Sequence, residues 1–475
     1  MLKNVLKASL AVCLVTMVSC NSDREVQNPD IDASKVEVKQ LSSEMIKVRD
    51  YVPENAVIAH RGSTFWTPEE TEAAYRWARE IGADYMEADL QVSKDGVVLA
   101  LHDDNLRRTT NIETVYGEHL PADRKQYYLE LGYSSKEADE KVEADRKSFI
   151  PNLPSSYTYS ELLKLDAGSW FNDANPERAQ AGFIKQHQYI SSLEDLIMYA
   201  KGYKLERDAS TGERAATKMT LTSETMKHPL SGAVERIVKY DTKYVKDDQD
   251  RGNRPGIYIE FKEPWLNPST MEKMVYDELD KYGMNVITKR EVDNTPFYVD
   301  GKVNVGNTNG KVILQTFSLE SLGRIKNFFK GQVPTCFLLW KGNGATDISD
   351  DSPQGYASFI NLGVDNLAHF IGPSIAGAPN NYPELLKPWQ ASLIRRSKMK
   401  IHPYSFDTTD QMKKYFGDYN YGNQIGDLAA PPYCDAMFTN RAEETLHYYI
   451  EKNARNLAAS KNVEEATELL KRLGY

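Results

Sequence analysis

From Ala56 onward, short apolar runs alternate with stretches whose apolar residues recur at helical spacing. Eight runs have strand length: Val57–His60, Tyr85–Val92, Ile257–Lys262, Val312–Phe317, Thr335–Trp340, Asn366–Ile371, Lys400–Phe406 and Ala436–Thr439. A helical pattern follows nearly every one, which is the grammar of βα units. Helix starts are marked locally. Thr67-Pro68-Glu69-Glu70 offers an N-cap threonine, proline at the first helical position and glutamate at the third. Thr158…Glu161, Ser191…Glu194 and Ser269…Glu272 repeat the capping-box spacing. Eight such units predict an α/β fold, a (β/α)8 TIM barrel. The alternation breaks over about 104–188 and again over about 203–255, so insertions are expected after the second and before the third barrel strand. A doubly wound open sheet is the competing arrangement, but no glycine-rich dinucleotide loop supports it. The chain shows no internal repeat.

The N-terminus follows a different rule. Lys3 and Lys7 precede an apolar run, Ala8–Val18, shorter than the ~20 residues a membrane span needs. The run ends at Val18-Ser19-Cys20. This is similar to a bacterial lipoprotein signal over residues 1–19, with Cys20 lipidated; an ordinary cleaved signal is the alternative. The lipoprotein reading places the protein in the bacterial cell envelope, facing the periplasm or the outer surface, and touching membrane only through the anchor. Residues 20–43 then read as the lipidated cysteine and a flexible tether, and 44–475 as the barrel domain.

Composition narrows the function. Of 475 residues, 41 % are hydrophobic, enough for a packed core. The net charge of −10 argues against nucleic acid as the main partner. Four cysteines cannot form a disulfide scaffold, and Cys336 and Cys434, set in or beside apolar runs, are expected as buried thiols.

The candidate chemistry stands at strand ends. The first strand runs into His60-Arg61-Gly62. Glu87 and Asp89, two apart on the second, face the same side. Glu260 and Lys262 do the same on the third, and His102 ends the extended run Leu99–Asp103. In a barrel the carboxyl ends of the strands share one rim. Three carboxylates meeting there would repel one another unless a cation lay among them, and an all-oxygen set suits Mg²⁺ or Ca²⁺. Two histidines can exchange protons at neutral pH, while Arg61 and Lys262 suit an anion. Together these groups read as phosphate-ester cleavage. Glu70 reads most simply as a helix-capping residue, and Asp347…Asp350-Asp351 as a solvated loop. No Gly-x-Ser-x-Gly elbow, His-Glu-x-x-His, Cys-x-x-Cys or phosphate loop offers another chemistry.

The order of these motifs resembles the glycerophosphodiester phosphodiesterase family. The run is His60-Arg61-Gly62, Pro68-Glu69-Glu70-Thr71, Glu87-Ala88-Asp89, Lys94-Asp95-Gly96, His102-Asp103 and Arg108-Thr109-Thr110. Leu165-Asp166-Ala167-Gly168-Ser169-Trp170-Phe171, Ser192-Leu193-Glu194, Tyr258-Ile259-Glu260-Phe261-Lys262, Gln315-Thr316-Phe317 and Phe438-Thr439-Asn440 continue it. Ile371-Gly372-Pro373 and His402-Pro403-Tyr404 look more like the secreted, periplasmic branch. The resemblance implies one divalent cation, Ca²⁺ or Mg²⁺, on Glu87, Asp89 and Glu260. It implies His60 and His102 as the acid–base pair, and Arg61, Lys262, Phe317 and Tyr404 on the substrate. The implied reaction is hydrolysis of a small-molecule glycerophosphodiester to sn-glycerol 3-phosphate and an alcohol. Two positions depart from the family: Glu70 replaces a common asparagine, and Asn440 a common aspartate. Three alternatives stay open. A phosphodiesterase could act on lysophospholipid, sphingomyelin or a glycerol-phosphate polymer. The barrel could be a non-catalytic binding lipoprotein, or a sugar-active one using paired carboxylates.

Overall fold

The computed structural model describes residues 33–215, 217–290, 295–304, 309–341, 352–418, 432–455 and 463–475. The signal-like segment with Cys20 and the acidic run Asp347, Asp350 and Asp351 lie outside the described residues.

Eight parallel strands form one sheet: β1 (Ala56–Ala59), β2 (Tyr85–Val92), β3 (Gly256–Phe261), β4 (Val312–Thr316), β5 (Thr335–Leu339), β6 (Phe370–Pro373), β7 (Lys400–Ile401) and β8 (Ala436–Thr439). They are hydrogen-bonded in the order 7-6-5-4-3-2-1-8, each beside its sequence neighbour. The circle closes between β7 and β8. Asp435 N donates to Ile401 O at 2.8 Å, Phe406 N donates to Phe438 O at 2.7 Å, and Phe406 bridges Thr439. This is the expected (β/α)8 barrel. Most of its strands are buried end to end because one face meets the barrel interior and the other the helices. The interior is filled by Ile58, Tyr85, Tyr258, Ile313, Cys336, Leu338, Phe370 and Phe438. Cys336 and Cys434 are buried free thiols.

The sixth strand departs from the expected Asn366–Ile371. It starts at Phe370, because Asn366 caps the preceding helix. The expected helix start at Thr67 also moves. The helix α1 (Glu72–Ile81) begins four residues later, with Thr71 as its cap; the Thr71 hydroxyl accepts from Ala74 N at 3.4 Å. The box expected at Ser191…Glu194 is formed one residue on, by Ser192 and Asp195, ahead of α2 (Leu193–Ala200). Ser269 caps nothing: α3 (Met271–Lys281) follows Thr270, and Glu272 turns instead to Ser321 and Arg324. Thr158…Glu161 forms its capping box as expected.

After β2 the chain turns at Lys94-Asp95-Gly96 and runs back as a short antiparallel strand, Val98–Ala100, on β2. Both insertions are fastened to this turn. Asp95 accepts from Tyr159 N at 2.9 Å, from the Tyr127 hydroxyl at 3.1 Å and from the Tyr240 hydroxyl at 2.5 Å. Lys94 pairs with Asp145 at 2.9 Å and Glu235 at 2.8 Å. The helical insertion and the ribbon Lys218–Lys227/Val234–Asp241 thereby share a second, tyrosine-rich core.

At the N-terminus, residues 33–42 pack on the barrel rather than forming the last part of a flexible tether. Leu41 N donates to Ser397 O at 2.9 Å, and Arg396 binds the carbonyls of Ala33 and Val36. Among the described residues, no helix is long and apolar enough to cross a membrane.

Candidate active site

The site is built from the carboxyl ends of β1–β5 and the loops that follow β6–β8. In the parallel register Asp89 lies beside Glu260, and Glu260 beside Gln315, so one row of inward positions carries three polar side chains. Glu87 stands two residues below Asp89 on the same face. Glu87, Asp89 and Glu260 each bring a carboxylate oxygen within 4.8 Å of the others. They are 1 %, 1 % and 6 % exposed, so all three carboxylates face the barrel interior and not solvent.

His60 and Arg61 follow β1 in a tight turn. Arg61 has φ 50° and donates its backbone N to Glu87 Oε2 at 2.7 Å. Gly62, at φ 85°, cannot be replaced without strain, since a Cβ there would lie 2.5 Å from Ala74 Cβ. His102 is not on a barrel strand. It is carried back to the rim by the antiparallel strand, and Leu101 N donates to Asp89 O at 2.7 Å. His60, Arg61, His102, Lys262, Phe317 and Tyr404 all line one cavity of about 720 Å³ with the three carboxylates. Phe317 meets Tyr404 edge-to-face at 5.7 Å, and the Tyr404 hydroxyl donates to Leu339 O at 2.8 Å. Lys262 is 9 % exposed and stands 3.1 Å from Glu260 and 3.8 Å from Asp89.

The two histidines have different partners. His60 Nδ1 is 2.7 Å from the amide oxygen of Asn440. His102 Nδ1 is 2.6 Å from Asp103 Oδ1, and Arg108 binds the other Asp103 oxygen. Arg108 also grips Glu69, which reaches Arg61 at 3.4 Å. Burial, reinforced by Arg61, pushes His60 down to about 3. Burial also lowers His102, against the pull of Asp89 and Asp103. Burial and the Asp89 charge hold Glu87 well above the usual carboxylate range, and burial pushes Glu260 up to about 8 despite Lys262. Asp89 is also buried, but His102, Lys262 and Arg61 outweigh that and hold it low.

This donor set fits a hard divalent cation. It is all oxygen, crowded, and uncomfortable as bare charge. Asp89 Oδ2 and Gln315 Oε1 are buried with no hydrogen-bond partner, and Gln315 Nε2 donates to Glu87 Oε1 at 3.0 Å.

Glu70 is a correction. It caps no helix. Its backbone is left-handed (φ 57°), and its Oε1 accepts from Asp89 N at 2.6 Å inside the site. Glu69, Asp103, Arg108 and Gln315 lie within the family's motifs, and the order of those motifs is the only sequence signal for them. Asn440 stands out in the sequence only as a departure from the family's aspartate. Asp407, which binds Asn440, carried no signal.

The fold and rim define a barrel hydrolase site for an anionic ester. The chain belongs to the glycerophosphoryl diester phosphodiesterase family, whose model matches residues 60–273. A glycerophosphodiester phosphodiesterase of Bacillus subtilis (strain 168) is 33 % identical over 358 residues, 75 % of this chain and 78 % of that protein. A glycerophosphoinositol inositolphosphodiesterase of Mus musculus is 29 % identical over 171 residues, 34 % of this chain and 25 % of that protein. Among solved structures, an Oleispira antarctica phosphodiesterase in complex with the product sn-glycerol-3-phosphate covers 85 % of this chain and 99 % of its own, at 15 % identity and a TM-score of 0.44.

Proposed function

We propose that the protein hydrolyses glycerophosphodiesters to sn-glycerol 3-phosphate and an alcohol with the help of one divalent cation. The observation that carries this reading is the convergence of Glu87, Asp89 and Glu260 within 4.8 Å in a cavity also lined by His60 and His102. Glu87, Asp89 and Glu260 would hold the cation. When bound, Ca²⁺ or Mg²⁺ supplies positive charge that polarises a phosphoryl oxygen. Arg61 and Lys262 bind the phosphate and offset its charge beside the acids. His60, half-buried and neutral against an amide, takes the proton of the attacking hydroxyl. His102, backed by the Asp103 carboxylate, gives its proton to the leaving alcohol. Phe317 and Tyr404 form the apolar wall along the glycerol carbons. The attacker is water or the glycerol 2-hydroxyl by way of a cyclic phosphate. In the same reading Cys20 carries lipid and holds the domain at the cell envelope.

The test is release of glycerol 3-phosphate from glycerophosphocholine and glycerophosphoethanolamine in Ca²⁺, Mg²⁺ or EDTA. Turnover that EDTA abolishes and a cation restores is expected. Failure on these diesters, and then on lysophospholipid, sphingomyelin and glycerol-phosphate polymer, would overturn the reading in favour of a binding lipoprotein.

A further inference from the structure

We propose that Asn440 and Asp407 form a positioning pair that holds His60 in one tautomer, with its proton on Nδ1 and Nε2 left bare toward the cavity. The proposal rests on the reading of His60 as the base, and concerns two residues that never touch the reacting atoms.

Asn440 is fixed through its backbone. Its N donates to Phe406 O at 3.0 Å, and its carbonyl accepts from Phe65 N at 3.0 Å and Ser63 Oγ at 3.0 Å. The side-chain amide has a donor end and an acceptor end, and its neighbours decide which faces His60. Asp407 Oδ1 lies 2.7 Å from Nδ2 of Asn440, and Asp407 Oδ2 accepts from Nδ2 of Asn380 at 2.6 Å. Asp407 is itself held, its backbone N donating to Gln411 Oε1 at 2.7 Å. Both carboxylate oxygens are therefore taken by amide donors. Turning the Asn440 amide round would set its oxygen against a carboxylate oxygen. The amide oxygen must then face His60 Nδ1, at 2.7 Å, with Thr64 Oγ1 donating to the same oxygen at 3.0 Å. An amide oxygen only accepts, so Nδ1 carries the hydrogen. A neutral imidazole has one N–H, which leaves Nε2 with its lone pair free.

The direction of the network is reversible by one atom. In Asp407→Asn the new amide would accept from Asn380 and donate to the Asn440 oxygen. Asn440 would then turn its NH₂ to His60, Nδ1 would become the acceptor, and the proton would move to Nε2, where it blocks base catalysis. The swapped pair, Asp407→Asn with Asn440→Asp, puts an acceptor back against Nδ1 and a donor behind it, and so restores the original tautomer.

The experiment is ¹⁵N NMR of the full chain labelled at histidine, with the His60 signals assigned by their loss in His60→Gln, together with steady-state kinetics. In the native protein Nδ1 is expected to give an amine-type and Nε2 an imine-type signal; the reverse overturns the proposal without any variant. Asp407→Asn is expected to exchange the two signals and lower kcat by about 10²-fold or more, with KM within about twofold. The swapped pair is expected to return both to native. An unchanged tautomer and kcat in Asp407→Asn, or a folded swapped pair that recovers neither, would overturn it. The NMR readout needs no substrate. Native protein that turns over no diester would sink the functional reading while the tautomer assignment stands on its own.

Discussion

Glu70 adopts a left-handed backbone that costs a non-glycine residue roughly 1–2 kcal/mol. The turn is offset by two bonds it makes possible: Glu70 N donates to Arg61 O at 3.0 Å, and Oε1 accepts from Asp89 N at 2.6 Å. Glu70→Ala leaves the buried Asp89 N–H without an acceptor and should destabilise the protein by about 1–3 kcal/mol in urea unfolding. Glu70→Gln keeps the acceptor and should lose less than half of that. The local signature at Thr67–Glu70 was a genuine helix-start pattern, but the chain used the next threonine and turned both glutamates inward. Nothing within a few residues could reveal that, because the deciding partners, Arg61 and Asp89, lie on two strand ends. Glu87, Asp89, Glu260 and Lys262 were legible for the opposite reason. Strand alternation is local, and it alone puts i and i+2 on one face. Asn440 sits 380 residues from the histidine it binds, beyond any spacing rule. At His102 the partner is the very next residue. Asp103→Asn removes the carboxylate that favours the imidazolium. His102 should then lose its proton at lower pH, so the alkaline limb of the pH–rate profile should move down, with kcat lower by about 10-fold or more. A profile unchanged in Asp103→Asn would remove His102 from the role of acid.

At the scale of elements, the barrel was readable from its eight apolar runs, whereas the route of the chain between β2 and β3 was not. The charged and tyrosine-rich insertions lack the period of a helix facing one core, since their apolar residues are shared across two segments. Val238 and Tyr240 of the ribbon pack with Tyr127, Tyr128 and Tyr159 of the helical insertion. The Lys94-Asp95-Gly96 turn is what joins them to the barrel. Asp95 is 3 % exposed, and its loss strands the Tyr159 N–H and the hydroxyls of Tyr127 and Tyr240. Asp95→Ala should therefore cost about 3 kcal/mol or more. The same hairpin delivers His102 through Leu101, so activity should fall along with stability. A variant as stable as the native chain would show that the insertions are held by apolar packing alone. Gly62 is the equivalent point on β1. Gly62→Ala collides with Ala74 and has to displace the turn that orients His60 and Arg61. It should lower kcat more than it lowers the melting temperature, which a paired kinetic and thermal measurement would resolve.

For the whole molecule, the crowded carboxylates couple folding, protons and cation. Without a cation, Glu260 is pushed up to about 8 by burial, against the ordinary 4.5 that an unfolded chain keeps. Glu87 moves in the same direction. Between 4.5 and about 8 the folded protein thus keeps a proton on Glu260 that the unfolded chain has released. Where the folded state binds more protons, stability falls as pH rises. Asp89, held below its ordinary 3.8, contributes stability that is lost only as pH falls below that value, outside this window. Above the ordinary 6.5 of histidine, where the lowered His60 and His102 carry no proton in either state, the EDTA-treated protein should therefore melt at a lower temperature at about pH 8 than at about pH 7. A cation binds the ionised cluster and adds stability as RT ln(1 + [L]/Kd), so its effect grows as the competing proton leaves. Added Ca²⁺ or Mg²⁺ should raise the melting temperature more at the higher pH. Glu260→Gln removes the titrating group, so it should flatten the pH slope in EDTA and shrink the cation's increment together. These two effects separate the cluster from every other acid in the chain. If the slope were as steep in Glu260→Gln as in the native protein, or the cation's increment were the same at both pH values, the three carboxylates would not be the cation site, whatever the enzyme turned over.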